Sequence, residues 1–162
     1  MIRAVCALLA LLAAGCAQVE LRPDLRNLEF ELSGRLAAST RAESFTGNLN
    51  WRHARSADEL LISTPFGQGV ARILRQDDTV MLETADRREY RAADAESLTE
   101  RVLGFRLPLI GLADWVRGKP SPAPEARGWT IEYQEYDAER RPILMRLTYP
   151  GIELRLAVSQ WK

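Results

Sequence analysis

Histidine and cysteine are nearly absent from this sequence: 162 residues hold one His, His53, and two Cys, Cys6 and Cys16. A His-rich or multi-Cys metal site therefore cannot be assembled within one chain, and disulfide stapling is not expected. Charge of one sign is lacking too, since 22 Lys+Arg face 22 Asp+Glu with no basic block. Phosphate backbones need a concentrated Lys/Arg surface, so nucleic acid is not an expected partner. Gly (10) and Pro (8) are sparse, no low-complexity tract or internal repeat occurs, and 46% of residues are hydrophobic, which excludes fibrous repeats and points to a packed interior. The length suits one domain.

Catalytic signatures are missing as well. Ser44, Ser63 and Ser97 lack a Gly-x-Ser-x-Gly setting, Gly67-Gln68-Gly69 lacks the Lys-Ser/Thr of a phosphate loop, and Asp77-Asp78 falls in a turn where solvation accounts for it. His53 closes a strand, with Trp51 on its own face and Arg52 and Arg55 nearby, a setting for a core histidine rather than a ligand. No catalytic residue, metal or enzymatic activity is expected.

One long apolar run is present. Residues 4–14 are 11 consecutive apolar residues after Arg3, ending at Gly15-Cys16. A spanning helix needs about 20, whereas a basic start, a short apolar centre and small residues at the end describe a secretory signal. The stretch Leu12-Ala13-Ala14-Gly15-Cys16 resembles the lipobox of bacterial lipoproteins, with Leu12 one place ahead of the slot that Ala13 fills. Cys16 is thus the expected lipidation site, carrying a covalent N-acyl diacylglyceryl group; the alternative is an ordinary signal with Cys16 as a free thiol. No other cofactor is expected. By the sorting rule of such lipoproteins, Ala17 after the Cys implies the outer membrane. The expected division is a signal over 1–15, a lipidated N-terminus and tether over 16–27 with one helical turn after Pro23, and a domain over 28–162.

From Glu29 the period becomes two. Phe30, Leu32, Gly34 and Leu36 alternate with polar residues, and Phe45, Gly47, Leu49 and Trp51 repeat the pattern. Less regular strands are predicted near 58–64, 70–76, 79–84 and 87–92, another from Trp129, and a hairpin in which Pro150-Gly151 joins the Ile143–Tyr149 and Ile152–Val158 faces. Asp94 caps a predicted helix to 103, and a second follows Pro108 with Leu109, Leu112, Trp115 and Val116 on one side. The reading is α+β: about nine antiparallel strands curling under two covering helices. In Ser63-Thr64-Pro65-Phe66-Gly67-Gln68-Gly69 a large apolar side chain stands between Pro and Gly at a strand connection; Phe66 either plugs the barrel end or projects as an apolar probe.

Six stretches occur in order: Phe30–Ala37, Phe45–Trp51, Leu61–Gln68, Leu107–Pro120, Trp129–Tyr133 and Leu154–Trp161. With Cys16 they resemble the LolB family of outer-membrane lipoprotein receptors across nearly the whole mature chain. The resemblance implies an open, curved antiparallel β-barrel of about eleven strands, with helices on the concave side and a hydrophobic cavity for acyl chains. It implies a monomeric, lipid-anchored receptor on the periplasmic face of the outer membrane. That receptor accepts acylated lipoproteins from the soluble carrier LolA and inserts their chains into outer-membrane lipid without nucleotide. The family's protruding loop, usually tipped by Leu, falls on Phe66 between Pro65 and Gly67, which favours the exposed probe. Expected cavity residues are Phe30, Leu32, Leu36, Phe45, Leu49 and Trp51 from the sheet and Leu98, Val102, Leu109, Leu112 and Trp115 from the helices, each equally suited to plain core. A soluble LolA-type carrier and a packed envelope scaffold remain the alternatives.

Overall fold

The computed structural model describes residues 21–103, 106–119 and 123–162. Nine strands are found among them: β1 (Leu28–Thr40), β2 (Ser44–Ala54), β3 (Ala57–Ser63), β4 (Gly69–Gln76), β5 (Thr79–Thr84), β6 (Glu89–Ala92), β7 (Thr130–Tyr136), β8 (Pro142–Tyr149) and β9 (Ile152–Trp161). Two helices, α1 (Ala95–Leu103) and α2 (Leu109–Val116), and a 3-10 turn (Pro124–Arg127) lie between β6 and β7. The strand count agrees with the periodicity and corrects the eleven implied by the resemblance. The 3-10 turn replaces part of the expected loop, and no helical turn follows Pro23. There the Asp24 carboxylate accepts the Arg26 backbone N–H, while the Asp24 N–H donates to Gln76 Oε1 at 2.7 Å. These bonds hold the segment against the sheet instead of letting it coil.

All neighbours in the sheet are antiparallel, in the order β6-β5-β4-β3-β2-β1-β9-β8-β7. The last strand returns to pair with the first, and the register shifts between Ser33 and Gly34. A Cβ at Gly34 would collide with the Ala157 carbonyl oxygen, so only glycine lets β9 approach there. The sheet stays open: β6 and β7 are edges, and the chain passes from one to the other through the helices. This fits the open curved barrel that the resemblance implies, a point that periodicity alone left undecided.

β1, β2 and β9 bury alternate residues, as a one-sided sheet requires, whereas β4 and β5 bury the consecutive runs Ile73–Arg75 and Val80–Leu82. Phe30, Leu32, Leu49, Trp51, Leu60, Ile73 and Leu82 from one half join Met145, Leu147, Leu154, Leu156 and Val158 from the other in one core with Leu98, Leu109, Leu112, Trp115 and Val116 of the helices. Asp94 Oδ1 accepts the Ser97 backbone N–H at 2.7 Å, an N-cap that sets the start of α1 and holds the Asp94 carboxyl below the usual carboxylate range.

Candidate functional site: an apolar cavity, its floor and its rim

Inside the curve lies a cavity of about 250 Å³ whose lining side chains are all apolar. Leu36 and Ala38 of β1, Phe45, Leu49 and Trp51 of β2, Leu60 and Ile62 of β3, and Val70, Ala71 and Ile73 of β4 form one wall. Leu147, Leu154 and Leu156 form the opposite wall, and Leu107, Leu112 and Val116 roof it. Five of the expected residues, Leu36, Phe45, Leu49, Trp51 and Leu112, stand in this lining. Phe30, Leu32, Leu98, Leu109 and Trp115 are buried in the solid core instead, with Val102 packed against it. Residue type could not separate the two groups, because cavity and core use the same side chains. Phe30 and Leu32 pair with His53 and Trp51, at the end where aromatic rings fill the interior. The β3, β4, β8 and β9 lining residues, left out of the sequence reading, carry the same signal of alternate apolar positions.

Below Trp51 is a floor of polar groups that the sequence did not reveal. Asp58 is fully buried. Its Oδ1 accepts the Trp51 indole N–H at 2.7 Å and lies 2.6 Å from His53 Nδ1, while its Oδ2 takes Arg75 Nε at 2.6 Å. Arg75 also donates to the carbonyls of Ala54 and Arg55. His53 stacks on Phe30 with ring centroids 4.9 Å apart. Every polar group of this cluster thus has a partner, which is the condition for burying charge at all.

The roof is latched to that floor. Arg117, just after α2, donates to Glu29 at 2.9 Å and to Asp114 at 2.6 Å, and its guanidinium sits 5.4 Å from the Phe30 ring centroid. The hydrogen bond from Arg117 holds the Glu29 carboxyl below its ordinary range. On the other side, Tyr133 donates its hydroxyl to the Trp115 carbonyl at 2.6 Å, and burial pushes the phenol up to about 12.

At the opposite end of the strands stands the β3–β4 turn. Thr64 donates its N–H to the Gln68 carbonyl at 2.8 Å and accepts the Gly67 N–H at 2.9 Å, and Asn48 Nδ2 donates to the Thr64 carbonyl. Gly67 adopts φ 85°, a conformation that favours glycine, with nothing near its missing Cβ. The tied turn projects Phe66 outward, 95% exposed, so Phe66 is no plug; Pro65 and Gly67 are exposed beside it. Cavity residues reach this same rim: Ile62 pairs with Ala71 just under the turn, and Ala38 pairs with both Phe45 and Leu154. Cys16 lies outside the described residues. No group of three or more His, Cys, Asp or Glu able to hold a metal ion occurs among the described residues.

A family model for the outer membrane lipoprotein LolB matches residues 28–161. The chain belongs to the LolB family. The outer-membrane lipoprotein LolB of Thiobacillus denitrificans is 36% identical, over 98% of this chain and 96% of its own length. That of Chromobacterium violaceum is 36% identical over 95% of each, and that of Nitrosomonas europaea 36% identical over 89% of this chain and 77% of the relative. Among solved structures, a LolA superfamily protein from Nitrosomonas europaea superposes with a TM-score of 0.51 at 9% identity, covering 82% of this chain and 84% of that one, which shows a shared fold. The LolB match spans β1 to β9, so cavity, floor and Phe66 turn all lie inside it.

Proposed function

We propose that this chain is a lipid-anchored receptor of the outer membrane, facing the periplasm, which takes acylated lipoproteins from the carrier LolA and inserts their acyl chains into the bilayer. The observation that carries the reading is a wholly apolar cavity whose wall runs up to the turn that exposes Phe66. An acyl chain in water costs about 0.8 kcal/mol per methylene, so about a dozen methylenes cost on the order of 10 kcal/mol. Transfer must therefore pass from one apolar surface to another without a wet step. A chain held between the β1–β4 wall and the α2 roof leaves at the rim, where Phe66 touches hydrocarbon first.

No nucleotide is needed if affinity rises from carrier to receptor to bilayer, because each step is then downhill. Cys16 supplies the anchor through its diacylglyceryl and N-acyl chains, and two or more chains make attachment stable. The domain acts as a monomer, with no catalytic step. The residues proposed to contact the acyl chain are those of the lining, Leu36, Phe45, Leu49, Trp51 and Leu112 among them.

The test is a transfer assay with a Cys16→Ala chain, carrier loaded with an acylated lipoprotein, and liposomes. The cargo should move to the receptor and then to the liposomes without ATP; failure to accept cargo removes the reading. Mass measurement of the native mature protein separates receptor from soluble carrier, since an unmodified Cys16 thiol would favour the carrier.

A further inference from the structure

Phe66 does not stand alone at the rim. The turns 41–43, 64–68 and 85–88 all lie at the same end of the sheet, side by side, because β1 to β6 form a continuous meander. Between the second and third, on the face turned away from the cavity, runs a shallow groove of about 250 Å³. Its floor holds Leu61, a large apolar residue 40% exposed, and ends at Val70, which stands at the foot of the Phe66 turn and borders both the groove and the cavity. Its far wall holds Glu83 and Arg87.

The charges there are opposite and not already consumed. Arg87 sits at φ 60°, fixed by its N–H to the Thr84 carbonyl at 2.8 Å, and is exposed. Neither Arg87 nor Glu83 makes an ion pair among the described residues, whereas Arg72 in the same groove is bound to Glu59 at 2.7 Å, and Arg88 to Asp86 at 2.8 Å. Across the rim, Arg41 and Glu43 carry opposite charges in one turn. So balanced a rim has no preference for an anionic surface. It offers a guanidinium, suited to a phosphate, and a carboxylate, suited to an ammonium that can donate hydrogen bonds, beside an apolar strip.

We propose that this groove seats the headgroup of a zwitterionic phospholipid with a primary ammonium, Arg87 meeting the phosphate and Glu83 the ammonium, beside the inserted Phe66. The inference rests on the membrane-facing role proposed for Phe66. It gives the receptor a foothold on the lipid surface while the cavity empties on the other side of the same turn.

Flotation of the Cys16→Ala chain with vesicles tests it, comparing phosphatidylcholine alone with phosphatidylethanolamine mixed into phosphatidylcholine. Binding should be roughly two- to fivefold stronger with phosphatidylethanolamine, the range of an exposed ion pair. Glu83→Gln should erase that preference and leave binding to phosphatidylcholine unchanged, whereas Arg87→Ser, which removes the partner of the phosphate both lipids share, should weaken binding to both vesicles. Equal binding to both vesicles, a preference that survives Glu83→Gln, or binding that Arg87→Ser leaves unchanged overturns the proposal. So does stronger binding to phosphatidylglycerol that Arg87→Ser alone abolishes, which would make the groove an anion site. Phe66→Glu should weaken binding to every vesicle; if it does not, the delivery reading fails rather than the groove.

Discussion

The floor and the rim of this barrel are built on the same strands and obey opposite rules. At the floor, charged groups are buried and every one is paired: Asp58 binds Trp51, His53 and Arg75 at once. At the rim, an apolar group is exposed and unpaired, with Phe66 standing in water on a turn tied at Thr64, Gly67 and Gln68. The floor holds Trp51 in one orientation and so fixes the closed end of the cavity. The rim leaves a hydrophobic contact unmade. One end therefore serves stability and the other, on the proposed reading, serves transfer, and substitutions should separate them.

The largest effect belongs to the floor. Asp58→Ala leaves Arg75 buried without its partner and should lower unfolding free energy by about 3–5 kcal/mol, read from denaturant melts; a loss under about 1 kcal/mol would mean that the floor does not hold the barrel. At the rim, Phe66→Glu should slow delivery to liposomes roughly tenfold or more, since a carboxylate in hydrocarbon costs about 2.5–3.5 kcal/mol, with stability unchanged within about 0.5 kcal/mol. Delivery at the parent rate would sever the turn from transfer. Between the two ends, Ile62→Trp fills the upper cavity and should reduce cargo acceptance while vesicle binding stays as it is; overpacking should cost about 1–3 kcal/mol in stability. Undiminished acceptance would place the acyl chain elsewhere.

The smallest effect concerns the latch. The folded-state pKa of Glu29 is lowered by Arg117, so its contribution is full above the ordinary carboxylate range and is lost as pH falls through the folded value. The group is partly exposed, and the gain should stay under about 1 kcal/mol. Glu29→Gln should therefore be less stable than the parent at neutral pH, and the two unfolding curves should converge in acid. A gap that persists unchanged in acid would show that the pair is not what joins α2 to β1.

Strands, helices and the Phe66 turn were legible because each leaves a local mark: alternation in Phe30–Leu36 and Phe45–Trp51, Asp94 as a cap, Pro-Phe-Gly at a turn. The floor left none. Asp58 and Arg75 are a charged residue on each of two strands, indistinguishable in sequence from the solvated Glu59 and Arg72 beside them, until the register of β3 and β4 decides which face is inward. Trp51 and Phe30 likewise share a pattern and a face, yet one lines the cavity and the other fills the core. Where an empty volume lies within an apolar interior is a property of how whole elements fit, and no window of residues carries it.

The chain enters β1 at Leu28, opposite Ala54, at the floor end, while Phe66 lies at the far end of the strands. The 13 residues of β1 span about 43 Å at roughly 3.3 Å each. Asp24 donates its N–H to Gln76 at that same floor end, so the eight steps from there back to Cys16, drawn straight, reach about 26–29 Å at most. With Cys16 as the proposed anchor, that reach is shorter than β1 is long, so the tether cannot let the barrel stand on its mouth. On the proposed reading, Phe66 then meets the anchoring bilayer only when the barrel lies along the surface, with floor and rim at the same height.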